Sequence, residues 1–461
     1  MDPMAAQDRF DRVISNGQVI TGEGVFEAEI GILGENIAAI GEGLRGAITI
    51  DATDCYVLPG GVDPHVHLEY SVAGLRTADD YFTGTRAAAL GGTTTVIDFV
   101  EAAPGQRLLD GLAERRAPAD QKAVIDFGFH MTIKPDDLDK LDQVKEVVEA
   151  GCPTFKHYMA YGFYLNDGQL YRSFRAIGQA GGMAIVHAEN WRVICALIEE
   201  NLARGRCEPH WHPRSRPRKF EGHAAGRAID VAEMAGSPLY IFHISCPEVV
   251  EHMASARARG VKVWGETCPQ YLVLDWSLFD RPGALAALPV CAPPIREKEV
   301  QEPLWSALSG EEIQVVSTDH CPFTVAEKEK NLGDFSKIPG GVPSIESRLH
   351  LVYSYGVATG RLSLSRWVHC CCTAPARLMG LTRKGRIAPG YDADLVVFDP
   401  NRKRTISLDN LHENVDWSPY EGMELQGVCR HVFSRGEMIV RDGEFQGEAG
   451  RGRFVRRELR D

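Results

Sequence analysis

No stretch of the chain approaches the ~18 uninterrupted apolar residues of a membrane-spanning helix, so it offers no helical membrane span. Residues Met1 to Phe10 lack the basic and then apolar run of a secretory leader, and the expectation is a cytoplasmic protein. An excess of positive charge is missing too. Fifty Lys and Arg stand against 63 Asp and Glu, a formal charge of −13, which argues against nucleic acid or an anionic membrane as the main partner. CxxC pairs are absent: the 12 cysteines are scattered singly, apart from Cys370, Cys371 and Cys372. That pattern fits reduced thiols in a large intracellular protein, and neither a disulfide framework nor a cysteine zinc site. There is no repeat of solenoid type. The one biased tract is the basic tail Arg451 to Arg460, read as a solvated or partner-contacting end.

What is present suffices for a sizeable core. Of 461 residues, 44% are hydrophobic and 25% charged, ordinary values for a globular chain. Short β-type runs fill the first 57 residues, with Arg12 to Ile14 and Val19 to Thr21 flanking Asn16-Gly17 as an expected hairpin, followed by Glu27 to Leu33 and Ile37 to Ile40. From Cys55 to about Thr324 apolar runs alternate with Ala-, Glu- and Arg-rich helical stretches. The runs are Tyr56 to Leu58, Thr94 to Phe99, Ile125 to Thr132, Thr154 to Met159, Ala184 to Val186, Leu239 to Phe242, Val261 to Trp264 and Ile313 to Ser317. Repeated strand-helix units of this number predict an α/β fold with a closed, TIM-like (β/α)8 barrel. After Gly385 β texture returns, at Ala393 to Phe398, Cys429 to Phe433 and Met438 to Val440. The expected division is therefore a barrel over 58–384 and a small β-sandwich domain built from both chain ends, 1–57 and 385–461.

Candidate chemistry sits at the ends of these runs. In Gly60-Gly61-Val62-Asp63-Pro64-His65-Val66-His67 an extended backbone points His65 and His67 to one side, as a shared metal ion requires. Alone, an HxH pair says little. His187 closes Ala184-Ile185-Val186, however, His243 closes Tyr240-Ile241-Phe242, and Asp319 follows Val315-Val316-Ser317-Thr318. All five fall at the carboxyl rim of predicted barrel strands, where barrel enzymes keep their catalytic groups. Lys156 lies inside the fourth run. Buried there, it would lose its charge, and a neutral amine reacts with carbon dioxide to give an anionic carbamate able to bridge two metals; a lysine snorkelling to solvent is the plain alternative.

These residues, with Gly91-Gly92-Thr93-Thr94-Thr95-Val96-Ile97-Asp98-Phe99, Met159-Ala160-Tyr161, Ser215-Arg216-Pro217, Gly265-Glu266-Thr267-Cys268-Pro269-Gln270-Tyr271-Leu272, Ser317-Thr318-Asp319-His320-Cys321-Pro322 and Gly390-Tyr391-Asp392-Ala393-Asp394-Leu395-Val396, resemble the amidohydrolase superfamily in its dihydropyrimidinase and hydantoinase branch. The resemblance implies a cyclic amide hydrolase acting on dihydropyrimidines or 5-substituted hydantoins, usually as a homotetramer. It implies two divalent metal ions, zinc being the usual occupant: one held by His65, His67 and Asp319, the other by His187 and His243, with carboxylated Lys156 bridging them. A hydroxide between the metals would attack the ring amide carbonyl, Tyr161 would steady the oxyanion, and Asp319 would carry the proton.

The branch grips its ring through the backbone of two loops. They correspond to Cys291-Ala292-Pro293-Pro294-Ile295-Arg296 and Lys337-Ile338-Pro339-Gly340-Gly341-Val342-Pro343, which makes Cys291, Ala292 and Gly340 candidate substrate-binding residues. Ala292 stands where Ser is usual, Gly340 where Asn is usual, and Glu69-Tyr70-Ser71-Val72-Ala73-Gly74-Leu75 departs from the usual Met-Pro-Phe run. The individual ring substrate stays open. Allantoinases and dihydroorotases share the metals but usually carry an Arg or Asn just after HxH, and Leu68-Glu69-Tyr70 supplies neither. A non-catalytic, assembly-forming branch has lost metal ligands, whereas all six positions are filled here. His210, His212 and His223 are read as surface or interface residues, Cys370 to Cys372 as helix packing, and Glu266 and His320 as rim neighbours without an assigned role.

Overall fold

A computed structural model describes residues 10–72 and 74–460. Residues 1–9, on which the reading of the chain start rests, and Ala73 of the loop after HxH lie outside the described residues. Eight parallel strands form one sheet in sequence order: Gly61–Asp63, Thr93–Val100, Asp126–Thr132, Thr154–Tyr158, Met183–His187, Leu239–Ile241, Val263–Thr267 and Val315–Val316. The first and last are brought together by a parallel bridge between Val66 and His320, where the His67 N–H donates to the His320 carbonyl at 2.8 Å. Beneath that bridge the buried Arg348 guanidinium donates to the carbonyls of Val62 and Val316. Inward-facing Val62, Ile97, Phe99, Ile185, Tyr240, Phe242 and Val315 fill the barrel with bulky apolar groups, so it is a packed core and no pore.

One expected strand moves. Tyr56–Pro59 pairs with Leu395–Thr405 and Gln18–Ile20, so it belongs to the smaller sheet and not to the barrel, whose first strand is the short Gly61–Asp63. An apolar run of this length is ambiguous, because the chain goes straight from one sheet into the other. The seven-stranded sheet joins both ends of the chain through this pairing, and a four-stranded sheet of N-terminal strands packs on it through Ile14, Ile30, Ile32, Val57, Leu395 and Phe433.

The expected hairpin is also absent. Phe10–Ser15 pairs with Glu29–Leu33 and Gly46–Asp51, while Gln18–Ile20 pairs with Val25–Glu27 and Tyr56–Pro59. Asn16-Gly17 is instead the corner where the chain changes sheets. A side chain at Gly17 would come within 2.7 Å of the Val57 side chain, so glycine serves close packing there.

The basic tail is likewise not a solvated end. Phe127 exchanges backbone hydrogen bonds with Arg453 and Val455, and the buried Arg457 guanidinium donates to Phe129 and Met379 carbonyls and to Thr154 Oγ1. The tail thus docks where barrel strands three and four begin, and Phe454, Val455 and Leu459 are the apolar members that hold it. Cys370 to Cys372 are buried in a helical segment, as their packing role requires. No helix among the described residues is long and apolar enough to cross a membrane.

Candidate active site

At the carboxyl rim, the short first strand ends at Asp63 and the chain turns through Pro64 into His65 and His67. The buried Asp63 carboxylate accepts from the N–H groups of His65 and Thr318 and from Thr318 Oγ1 (2.6 Å), which ties strand one to strand eight. Asp319 then lies 3.0 Å from His65 Nε2 and 3.2 Å from His67 Nε2. These three residues could hold one metal ion. The His243 ring is 5.4 Å from that of His65 and 4.5 Å from that of His187, so the four imidazoles form a continuous group.

Lys156 is buried in the middle of Thr154–Tyr158. Among the described residues no carboxylate pairs with its amine, which lies over the rings of Phe242 (4.1 Å), Tyr158 (5.0 Å) and Phe99 (5.6 Å). Burial draws it down to about 7 against the pull of Asp319 and Glu266. Burial also lowers His67, His187 and His243, which keeps those rings neutral and able to ligate. For His65 burial acts the same way, but Asp319 and Glu266 outweigh it and raise its pKa. Burial would raise Asp319, yet His65 and the hydrogen bonds from His65 and His67 hold it well below the usual carboxylate range.

Tyr161 follows Met159-Ala160 just beyond the fourth strand, its ring 5.3 Å from that of His187. Burial pushes its phenol up, so it remains a proton donor at neutral pH. Its backbone is left-handed (φ 70°), as are those of His243 (39°) and Asp319 (51°). For non-glycine residues such conformations cost on the order of 1–3 kcal/mol each and persist only where the surroundings over-determine them, commonly at functional sites.

Groups without an assigned role in the sequence reading hold this set in place. Glu266 Oε1 meets His65 Nδ1 at 2.6 Å while Tyr240 donates to the other oxygen at 3.1 Å. Glu189 lies 2.8 Å from His187 Nε2 and accepts from Arg216 at 2.5 Å. His320 meets Asp79 at 2.9 Å. Glu189 gives a signal in hindsight, an acid two residues after a strand-end histidine, and Arg216 was visible only as part of Ser215-Arg216-Pro217. The reading of His212 as a surface residue is corrected: it is buried, with Nε2 2.8 Å from the Cys291 carbonyl, while His223 is exposed. The Pro- and Arg-rich sequence around it suggested an outer loop, but His212 sits in the short helix Trp211–Arg214, and Trp211 packs against the apolar cluster that contains Cys291.

The two candidate substrate loops are adjacent. A Cβ built on Gly340 would lie 3.7 Å from Cys291 Cα and 4.0 Å from Ala292 N. His212 occupies the Cys291 carbonyl, whereas among the described residues the backbone groups of Ala292 and Gly340 have no protein partner. Gly341 (φ 150°) passes so close to Cys321 that a side chain would strike its carbonyl.

The donor set fits divalent cations. Among the described residues the buried nitrogens His67 Nδ1 and His243 Nδ1 have no hydrogen-bond partner, and neutral imidazoles beside a carboxylate and a deprotonatable amine are ligands for ions that accept nitrogen and oxygen. Comparison with known proteins agrees. Residues 56–439 match the amidohydrolase family. The D-hydantoinase of Geobacillus stearothermophilus is 45% identical over 97% of this chain and 96% of its own, and that of Streptomyces coelicolor is 42% identical over 96% and 97%. The dihydropyrimidinase structure from Brevibacillus agri superimposes with a TM-score of 0.95 at 42% identity, covering 98% of this chain and 99% of that one. With the barrel, the rim histidines and these matches in agreement, the chain belongs to the amidohydrolase family.

Proposed function

We propose that the chain hydrolyses cyclic amides and imides, dihydropyrimidines and 5-substituted hydantoins, opening the ring at one amide bond. The observation that carries this reading is the convergence of four imidazoles, Asp319 and a buried lysine on one rim, joined through the Cys321–Val342 hydrogen bond to two loops whose Ala292 and Gly340 backbone groups are free to bond a ring edge. His65, His67 and Asp319 would hold one ion, His187 and His243 the second, and Lys156 as its carbamate would bridge both, with zinc the expected metal. On the family resemblance the enzyme assembles as a homotetramer, and its scattered free cysteines fit the cytoplasm.

Such a pair of cations supplies, when bound, an acidified water and a Lewis acid for the carbonyl. The chain's own groups do the rest. Asp319, ionised at neutral pH, accepts the proton of the attacking water and delivers it to the ring nitrogen as the C–N bond breaks. The Tyr161 hydroxyl donates to the carbonyl oxygen as it gains charge. Loss of one such donor costs ~2.7–4 kcal/mol, so Tyr161→Phe should lose roughly 100-fold or more in kcat with metal content unchanged, read by steady-state kinetics alongside metal analysis. Glu266→Gln, which weakens the carboxylate behind His65, should loosen metal binding by about 10- to 100-fold in a chelator competition.

The reading is tested by assaying dihydrouracil, hydantoin, phenylhydantoin, allantoin and dihydroorotate with metal measured on the same sample. Turnover of the first three is expected. A fully metallated protein that hydrolyses none of the panel, or only allantoin or dihydroorotate, would overturn it.

A further inference from the structure

Lys328 is fully buried, yet among the described residues no carboxylate pairs with it. Its amine donates to the Val290 carbonyl at 2.9 Å and to the Pro339 carbonyl at 3.0 Å, and lies 5.4 Å from the centre of the Trp417 ring. Each carbonyl belongs to the residue just before a candidate substrate-binding residue: Val290 precedes Cys291, and Pro339, inside the second loop, precedes Gly340. Burying a cationic side chain without a counter-ion is costly, so its retention for two neutral acceptors needs a reason. Burial draws the amine down to about 7. As ammonium or as amine it keeps enough hydrogens for both carbonyls.

The lysine itself is anchored. Thr324 and Glu327 form a reciprocal cap on Val325–Glu329, the Val325 N–H donates to Asp416 at 2.9 Å, and Trp417 Nε1 donates to the Phe323 carbonyl at 2.7 Å. The loops meet at other points as well. Gly341 N–H donates to the Val290 carbonyl at 2.9 Å, Cys321 N–H donates to the Val342 carbonyl at 3.2 Å, His212 holds the Cys291 carbonyl and Tyr271 the Pro293 carbonyl. The backbone around Ala292 and Gly340 is therefore fixed on each side while those two residues keep their own groups free. Through Cys321 the frame continues to Asp319, two residues earlier.

We propose that Lys328 is a positioning residue for the substrate site: by bridging Val290 and Pro339 it sets the spacing of the Ala292 and Gly340 backbone groups that receive the ring. This rests on the cyclic-amide reading. A lysine that served only the core would affect the amount of folded enzyme and leave the affinity of each folded molecule alone. A lysine that spaces the two loops acts on the bound ring.

The test is Lys328→Met, with Lys328→Arg and Lys328→Gln as companions, each assayed on hydantoin and dihydrouracil with metal content measured, and each followed by hydrogen exchange over 288–294 and 337–343. For the Met variant KM should rise at least about tenfold, the scale of one lost charge-assisted hydrogen bond, while kcat per bound metal pair stays within about threefold. Exchange should accelerate in both segments together, and the Arg variant should recover part of the KM. If the Met variant does not fold, the Gln variant takes its place. Unchanged KM and unchanged exchange in a folded variant would overturn the proposal, as would a loss confined to kcat. A wild-type enzyme inactive on the whole panel would instead defeat the cyclic-amide reading, and the loop clamp would be decided by exchange alone.

Discussion

Lys156→Ala should purify with its fold intact, less than the full metal content and turnover lower on the order of 10⁴-fold, the scale on which losing one member of a catalytic unit is felt. The fold should survive because the change removes a buried amine that no carboxylate neutralises, so no opposite charge is stranded; the remaining cost is the cavity left among Phe99, Tyr158 and Phe242. Metal content should fall, because in the proposed site this nitrogen would carry the only protein ligand common to both ions. The wild-type protein offers a companion test. An amine drawn down to about 7 is mostly protonated below that pH and mostly free above it, and only the free amine forms the N–C bond with carbon dioxide, releasing one proton. At equal dissolved carbon dioxide, metal-stripped enzyme should therefore regain activity with zinc faster at pH 8 than at pH 6, and ¹³C-labelled carbon dioxide should give a carbamate resonance that Lys156→Ala lacks. Full metal content and near-normal turnover in Lys156→Ala would reject the bridging role.

The barrel was legible because its strands are separated by helices and end in polar residues. Each of the eight predicted runs save Tyr56 to Leu58 overlaps a barrel strand, and the rim position of His187, His243 and Asp319 followed from the apolar residues before them. The failures share a cause. Tyr56–Pro59, Asn16-Gly17 and the tail at Arg453 to Arg457 are decided by contacts between distant parts of the chain, and local pattern is silent on which sheet a short apolar run will join. Arg457 shows this most plainly, since five basic residues in ten read as solvated until the carbonyls and Thr154 hydroxyl around its guanidinium are seen.

The site divides in the same way. Its candidate ligands could be read from strand ends, because extended backbone fixes where alternate side chains point. Its supports could not. Glu266 is 201 residues from the His65 ring it holds, and His212 is 79 from the carbonyl it meets. The left-handed backbone at Tyr161, His243 and Asp319 carries no sequence mark, since none is glycine.

Asp319→Asn separates the two duties of one carboxylate. The amide keeps an oxygen toward the cations and is nearly the same size, so metal content should fall far less than with Asp319→Ala. It cannot accept a proton, and general acid–base catalysis is worth roughly 10²–10⁴-fold, so kcat should drop by at least about 10³-fold once weakened ligation is added. The sign of the pH effect follows from the environment. His65 and His67 hold the Asp319 carboxyl well below its usual range against the upward push of burial, so the wild-type base stays ionised through neutral and mildly acidic pH. Asp319 should therefore limit the wild-type rate only on the acid side, where its carboxylate begins to protonate, and the Asn variant should lose that limb of the kcat profile. Asp319→Ala, by contrast, should lose metal and activity together, because it removes the oxygen 3.0 Å from His65 Nε2 and 3.2 Å from His67 Nε2. An Asn variant with full metal and a kcat within tenfold of wild type would assign the proton transfer to another group, and among its neighbours the imidazoles of His67, His187 and His243 are kept neutral by burial.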